Sequence, residues 1–387
     1  MKSKITNYLL ILISIYLTLI VCDWFLKKIN YRFLNEANKL KLESYKENKV
    51  KKEEAFRSGL KYTIYPTTIE NTLDIFNKKN NIPPLASFTN SDSFLCDEGY
   101  GLIKYKTDKF GFRNKNDVYE KPIDIILFGD SFVHGSCVDE EFTIAGLLNK
   151  KFNVLNLGVG STNPTHYALN LNVFEEYFKP RKIVTFFYSN DYEFNENSIY
   201  EKIYKKKIDY FDLKTFNSNK PTRYNQDVYN TLNLIEKEFL SMINSELDKK
   251  ILSKKKELFF KAKFNTLFYH VRLLEIRKSF EVLSKKYTTE FLPKNTLKMI
   301  KLLKEKCNKK VECQLLVVLI PSSDYWDYDY RGRIYLKNLR KNLIQNDIDF
   351  IDFSNKSNDR SFYAPKGIHL SIEGNIAISK KILTKLM

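Results

Sequence analysis

Five short apolar runs stand out against a lysine-rich background, at residues 123–128, 152–157, 182–188, 314–320 and 349–353. Each run is rich in Ile, Val, Leu and Phe and nearly free of charge, which is typical of strands buried in a parallel sheet. Helical patterns separate the runs. The order of elements therefore predicts an α/β fold, a flavodoxin-like three-layer αβα sandwich with a parallel five-stranded sheet.

Helical patterns also divide the chain into regions. An uncharged apolar run at residues 5–22 is long enough to cross a bilayer, and no small-residue cleavage site follows it. We predict an N-terminal signal anchor at 1–28, a transmembrane helix, and a Lys- and Glu-rich helical stalk at 29–61. The remaining domain, 62–387, contains a predicted helical insertion at about 192–310, where apolar residues recur at three- and four-residue spacing.

The first apolar run leads directly into Gly129-Asp130-Ser131. Ligands bind open parallel sheets at the carboxyl ends of their strands, so Ser131 is a candidate nucleophile. The same tripeptide is also typical of an ordinary turn in which the serine only caps backbone groups.

Three further blocks follow at strand or helix boundaries. Gly160 and Ser161 follow the second run, and small residues there allow backbone N–H groups to approach a substrate oxygen. Asn190 ends the third run, and His369 precedes the last helical pattern. Taken alone, Asn190 is equally typical of a turn or helix cap, and His369 of a surface histidine.

These blocks, in this order, resemble the four sequence blocks of the SGNH (GDSL-like) hydrolase family, over roughly residues 123–191 and 313–387. The resemblance implies that Ser131 attacks an ester carbonyl while His369 takes and returns the proton.

The resemblance also implies an oxyanion hole, to which the backbone N–H groups of Ser131, Gly160 and Ser161 and the side-chain amide of Asn190 contribute. Ser161 stands where this block of the family usually has a glycine, and its backbone N–H still serves if the turn tolerates a Cβ atom.

One departure from the family pattern affects the catalytic base. An aspartate usually lies three residues before the histidine and orients it, but that position is Lys366, whose ammonium cannot accept an N–H. Either a backbone carbonyl or another carboxylate, such as Asp359 or Glu373, takes over this role, or the protein works as a Ser–His dyad, or it is catalytically weak.

Three charged or titratable residues are candidates for substrate binding. Asp130 and His134 lie beside the nucleophile in the chain, and Arg113 is placed to reach an anionic group. The alternatives are that His134 only lines a loop and that Arg113 forms a structural ion pair.

Four cysteines beside Cys22 are candidates for disulfides: Cys96, Cys137, Cys307 and Cys313. A Cys96–Cys137 bond would tie the preceding segment to the nucleophile loop and would require an oxidising compartment. Free thiols in a reducing cytoplasm are the alternative. Neither pair has metal-site spacing, and we predict no metal and no cofactor.

The formal net charge is +18 and the pI about 9.3. Lysine is spread along the whole chain and no nucleic-acid motif accompanies it, so we predict no nucleic-acid partner.

The sequence therefore predicts a single-pass membrane protein whose catalytic domain is extracytoplasmic, periplasmic or at the cell surface. We expect a carboxylic-ester hydrolase, an SGNH-type serine esterase acting on O-acyl, above all acetyl, esters of a glycan or another small ester substrate. The alternatives are an O-acyltransferase with the same acyl-enzyme and an acyl-donor partner in the membrane, or a weakened SGNH-like glycan-binding or assembly protein.

Overall fold

A computed structural model of the chain describes residues 2–65, 84–192, 232, 292–308, 313–327 and 329–387. The described residues fall into two compact units, one up to Lys46 and the other from Glu47 onward. The second unit contains all the strands described below and every residue of the candidate site.

The first element is a single helix, α1 (Lys2–Arg57), and no break marks the predicted boundary between anchor and stalk. The helix ends where Gly59 takes a positive φ of 92° and the Leu60 N–H donates to the carbonyl of Ala55. Left-handed backbone of this kind favours glycine and commonly terminates helices. In the part of the chain that the structure describes, no helix combines the length and the apolar character that crossing a membrane requires.

The main sheet has five parallel strands in the order β5-β4-β6-β7-β8. With β4 counted first, this is the 2-1-3-4-5 order of flavodoxin-like folds. The predicted α/β class and parallel five-stranded sheet are confirmed, because each apolar run forms one strand. The strands are β4 (Ile125–Phe128), β5 (Val154–Asn156), β6 (Lys182–Tyr188), β7 (Gln314–Ile320) and β8 (Phe350–Asp352).

Among the described residues of this unit, six helices follow or connect the strands: α2 (Ser131–His134), α3 (Ile144–Leu148), α4 (Pro164–Phe178), α5 (Lys294–Asn308), α6 (Tyr330–Gln345) and α7 (Ile372–Leu386). Helix α4 packs against α5, and α3 packs against α7. The strands between them are almost fully buried, as the Val/Ile/Leu-rich sequence requires.

A second, smaller sheet lies upstream of the nucleophile strand and was not predicted. It consists of β1 (Lys61–Tyr62), β2 (Asp92–Phe94) and β3 (Lys104–Lys106), with β1 parallel and β3 antiparallel to β2. Backbone bonds between Leu95 or Cys96 and Ile103 extend the β2–β3 pairing and close the loop 97–102.

Most of the predicted insertion lies outside the described residues. Leu232, one member of its apolar stripe, is helical and buried in the main core, and α5 forms the C-terminal end of the insertion.

Candidate active site

The nucleophile candidate lies on a tight turn between β4 and α2. Ser131 is the first residue of α2, and the Asp130 carboxylate caps that helix by accepting the Phe132 N–H at 3.0 Å. A Cβ atom on Gly129 would collide with the side chain of Val133. The glycine therefore lets α2 fold back closely against the end of β4, which places Ser131 at the carboxyl edge of the sheet.

The predicted base meets the predicted nucleophile. Nε2 of His369 lies 3.0 Å from Oγ of Ser131, although the two residues are 238 positions apart in the chain. His369 lies just before α7, and its carbonyl accepts the Ala364 N–H at 2.8 Å. The 3.0 Å between Nε2 of His369 and Oγ of Ser131 is a hydrogen-bond distance, which allows proton transfer between the hydroxyl and the imidazole.

The residue that orients His369 is Glu98, which sequence reasoning missed. Its Oε1 lies 2.9 Å from Nδ1 of His369, and its Oε2 accepts the His369 backbone N–H at 3.0 Å. A Cβ atom on Gly367 would overlap the Glu98 carboxylate, so the glycine provides the space that this carboxylate occupies. Ser131, His369 and Glu98 thus form the three-residue arrangement of a nucleophile, a base and an orienting acid.

Electrostatics favour a charged acid and a basic imidazole. Burial opposes ionisation of Glu98, but the charge and hydrogen bonds of His369 hold its pKa below the usual value. Burial alone would lower the pKa of His369, yet the carboxylates of Glu98 and, more weakly, Asp130 raise it above the usual value. The pair therefore stabilises the imidazolium that forms when Ser131 gives up its proton.

The acid is another carboxylate, Glu98, but it is neither of the two examples considered, Asp359 and Glu373. Asp359 accepts bonds from Lys356 and Ser361, and Glu373 is exposed in the first turn of α7. Lys366 turns its ammonium to Glu47, with Nζ 2.8 Å from Oε2, while its backbone N–H donates to the Glu98 carbonyl at 2.8 Å. Lys366 therefore helps to hold Glu98 in place through its backbone N–H.

The predicted oxyanion residues follow the neighbouring strands. Ser161 takes a φ of 57°, so the turn does tolerate a Cβ atom in the left-handed region. Gly160 allows close approach of Tyr65, whose ring would lie 2.5 Å from an added Cβ.

Asn190 is exposed on a 3-10 turn directly after β6, the strand beside β4. Its neighbour Asp191 is instead buried and accepts bonds from the Tyr167 hydroxyl and the Tyr188 N–H. The Tyr188 ring stacks on Phe132 with centroids 4.0 Å apart, which joins the end of β6 to the nucleophile helix.

The three predicted substrate-binding residues are buried and engaged by the protein instead. Burial raises the pKa of Asp130, the cap of α2, to about 6. His134 packs edge-on against Tyr105, and burial lowers its pKa to about 3. Arg113 pairs with Glu140 at 2.7 Å and donates to the carbonyls that follow α2, so it forms the structural ion pair named as the alternative.

The predicted disulfide Cys96–Cys137 is present, and the other two candidate cysteines form a second disulfide, Cys307–Cys313. The first joins the loop that carries Glu98 to the segment after α2, and Cys137 Sγ lies 3.6 Å from Nδ1 of His369. The two sulfurs and the imidazole form a cluster of metal-ligand type within 4.8 Å. Because the sulfurs are bonded to each other, they are not the thiolates that bind metals.

Comparison with known proteins gives only distant structural likeness. No protein-family model and no curated protein matches the chain. A lipolytic protein of the G-D-S-L family from Veillonella parvula DSM 2008 is 13% identical, with 67% of this chain and 96% of that chain covered and a TM-score of 0.35.

Two further solved structures are similarly distant. A proposed acylhydrolase from Bacteroides fragilis NCTC 9343 is 10% identical over 71% of this chain and 88% of that chain, with a TM-score of 0.33. An acetyl xylan esterase is 13% identical over 68% of this chain and 100% of that chain, also with a TM-score of 0.33. The geometry of the site, and not these likenesses, therefore indicates what the protein does.

Proposed function

We propose that this chain is a serine esterase of the SGNH type that cleaves O-acyl esters through an acyl-enzyme. The observation that carries the proposal is the continuous chain of hydrogen-bond distances from Ser131 through His369 to Glu98. A glutamate, an imidazole and a serine hydroxyl in that order are what nucleophilic acyl transfer needs.

The reaction divides into two balanced halves. Ser131 Oγ bonds to the ester carbonyl carbon while its proton passes to Nε2 of His369, and the same proton leaves on the departing alcohol as the ester C–O bond breaks. Water then attacks the acyl-enzyme, gives its proton to His369, and releases the carboxylic acid as the proton returns to Ser131. Glu98 holds the imidazole in place and stabilises its positive charge in both halves.

The oxyanion is stabilised, in this proposal, by the Ser131 backbone N–H, the turn at Gly160 and Ser161, and the Asn190 amide. The strand order supports this assignment, because β5, β4 and β6 are neighbours and end at one edge of the sheet. Removing one such donor commonly costs about 3 kcal/mol of transition-state stabilisation.

A weakened, non-catalytic relative was the alternative suggested by Lys366. Its motivation was the missing acid, and Glu98 now occupies that role at 2.9 Å from the imidazole. The active-enzyme proposal is therefore the better supported of the two.

The site of action is proposed to be outside the cytoplasm, with an acylated glycan as substrate and α1 as the membrane anchor. The two disulfides support an oxidising compartment. Exposed apolar side chains of α1, among them Leu10, Leu12 and Leu17, support contact with lipid.

The test of catalysis compares the full-length protein with Ser131→Ala and His369→Ala on p-nitrophenyl acetate and on acetylated xylan. Ser136→Ala is the matched control, since Ser136 follows on the same turn and only its backbone N–H bonds to Ser131. We expect activity in wild type and Ser136→Ala alone, with fluorophosphonate labelling of Ser131. Equal rates in all four proteins would contradict the proposal.

The test of anchoring is extraction of cell membranes with alkaline carbonate. We expect wild type to stay with the membrane and Leu12→Arg/Ile15→Arg to be released, since two arginines on the exposed apolar part of α1 oppose its contact with the lipid interior. Ile376→Arg on α7, also an exposed apolar position, is the control. Release of the wild type would contradict the anchor.

A further inference from the structure

The acid of the triad stands on a loop that has its own internal scaffold. Glu98 follows Asp97, whose carboxylate accepts the N–H groups of Gly99 at 2.8 Å and Gly101 at 3.1 Å. Asp97 is buried, and these bonds fix the turn on which Glu98 is carried. The position of Glu98 therefore depends on what holds Asp97.

Helix α1 holds the Asp97 backbone through two hydrogen bonds with one side chain. The side-chain amide of Asn48 donates to the Asp97 carbonyl at 2.7 Å, and the Asn48 side-chain oxygen accepts the Asp97 N–H at 2.7 Å. Lys51, one turn further along α1, forms an ion pair with the Asp97 carboxylate. Burial alone would raise the pKa of Asp97, but Lys51 and the two glycine N–H groups hold it below the usual value.

The same end of α1 also contacts the segment that carries the base. Glu47 pairs with Lys366, three residues before His369, and the Lys366 backbone N–H donates to the Glu98 carbonyl. The adjoining Pro365 packs against Gly99, whose added Cβ would lie 2.9 Å from it. Residues 47–51 of α1 therefore contact both the acid loop and the base segment.

We propose that Asn48 is a positioning residue for catalysis, and that the last turns of α1 set the distance between Glu98 and His369. Asn48 touches neither substrate nor the reacting atoms. It acts through Asp97 on Glu98, and hence on the orientation of the imidazole. The inference deepens the esterase proposal and rests on it for its kinetic consequences, but the geometry it asserts can be measured without a substrate.

The expected effect is large because catalytic groups tolerate little displacement. A misplacement of about 1 Å caused by a remote change can cost on the order of 10²-fold in rate. Asn48→Ala removes the two side-chain bonds to the Asp97 backbone, while the Cys96–Cys137 disulfide keeps the loop folded nearby. We therefore expect a misplaced acid in a folded protein.

The first test follows the titration of His369 by NMR in the full-length protein. The chain has four histidines, and burial lowers the pKa of His134 and His166 to about 3, so they stay neutral where His369 titrates. His369→Gln and His270→Gln spectra assign the remaining signals.

The charged and titratable groups facing the imidazole are Glu98 from the loop after β2, Asp130 before α2 and His134 on α2. Asn48→Ala changes none of them, yet the proposal predicts a lower His369 pKa, shifted in the same direction as in Glu98→Gln. Asn153→Ala is the matched control, an asparagine that donates to the carbonyls of Val118 and Lys121 elsewhere in the unit. An unchanged His369 pKa in folded Asn48→Ala overturns the proposal.

The second test is a kinetic double-mutant cycle on p-nitrophenyl acetate. We expect Asn48→Ala to lower kcat by about 10- to 100-fold with little change in KM. Glu98→Gln/Asn48→Ala should match Glu98→Gln within about twofold, because the acid is already lost. Multiplied losses in the double variant overturn the proposal.

The two tests distinguish failure of the esterase proposal from failure of the proposal for Asn48. If wild type and Ser131→Ala are equally inactive, the esterase proposal fails, while the NMR titration still decides the role of Asn48. If Asn48→Ala does not fold, Lys51→Gln removes only the ion pair to Asp97 and should shift the His369 pKa downward by a smaller amount. An unchanged pKa in that variant counts against the proposal.

Discussion

Two largely enclosed histidines lie close to the nucleophile, and their surroundings give them opposite properties. His134 packs edge-on against Tyr65 and Tyr105, has no partner for Nδ1 among the described residues, and has a pKa lowered to about 3 by burial and by the Arg113 charge. His369 is nearly as enclosed, but the Glu98 carboxylate raises its pKa above the usual value. A carboxylate partner, and not nearness to the serine in sequence, makes a histidine a base.

Removing the Glu98 carboxylate should have the largest effect on the difference between His369 and His134. We expect Glu98→Gln to lower kcat by up to about 10⁴-fold, since an amide neither enforces the tautomer nor stabilises the imidazolium. Ester hydrolysis by purified protein measures the loss. Activity close to wild type would show that His369 needs no acid.

Removing the disulfide beside His369 is expected to have the next largest effect. The Cys96–Cys137 disulfide joins cysteines 41 residues apart. The entropy that it removes from the unfolded chain predicts a contribution of about 4 kcal/mol to stability. Cys96→Ser/Cys137→Ser should lower both the unfolding midpoint in urea and kcat, because the Glu98 loop loses its covalent tether. The matched control is Cys307→Ser/Cys313→Ser, which should lower stability less and spare kcat.

The pH dependence of kcat/KM tests the raised pKa of His369 without a mutation. Protonated His369 cannot accept the Ser131 proton, so kcat/KM should fall about tenfold per pH unit below the His369 pKa. Because Glu98 raises that pKa, the midpoint should lie above the ordinary histidine value of about 6.5. A midpoint below that value would argue against the Glu98–His369 pair in solution.

The Lys366→Ala variant tests whether the side chain of residue 366 orients His369. Its ammonium meets Glu47 while its backbone N–H, which alanine keeps, bonds to the Glu98 carbonyl. We expect only a loss of a few-fold in kcat, since an exposed ion pair contributes about 1 kcal/mol or less. A loss comparable to that of Glu98→Gln would contradict the assignment of the acid.

His134→Phe should have the smallest effect. Phenylalanine keeps a planar ring between Tyr65 and Tyr105, so we expect kcat within a few-fold of wild type and a stability change below about 1.5 kcal/mol. Kinetics and urea unfolding together measure this. A large loss of kcat in a stable variant would give His134 a catalytic role.

The main sheet could be predicted because its strands are buried on both faces and therefore show as uninterrupted apolar runs. The small sheet could not, because strands of two or three residues such as Lys61–Tyr62 carry no periodicity. The burial of Arg113 and His134 was equally invisible, since the groups that enclose them come from distant positions.

Glu98 was missed because its role depends on a contact across 271 residues. One signal was available: Cys96 lies two residues before it, and the predicted Cys96–Cys137 bond already placed this loop beside the nucleophile. A carboxylate close to Cys96 in the chain was therefore the natural candidate for the acid that is missing at position 366. The two carboxylates named as examples, Asp359 and Glu373, lie near His369 in sequence, whereas the carboxylate that contacts its imidazole does not.

The order of the triad along the chain has a consequence for how the protein is made. Glu98 and Ser131 leave the ribosome early, and their loops can be joined by the Cys96–Cys137 bond as soon as both cysteines meet an oxidant. His369 follows 238 residues after the serine. The acid and the nucleophile can therefore be linked before the base has been synthesised, and the site becomes reactive only when the segment that carries His369 docks beside Ser131.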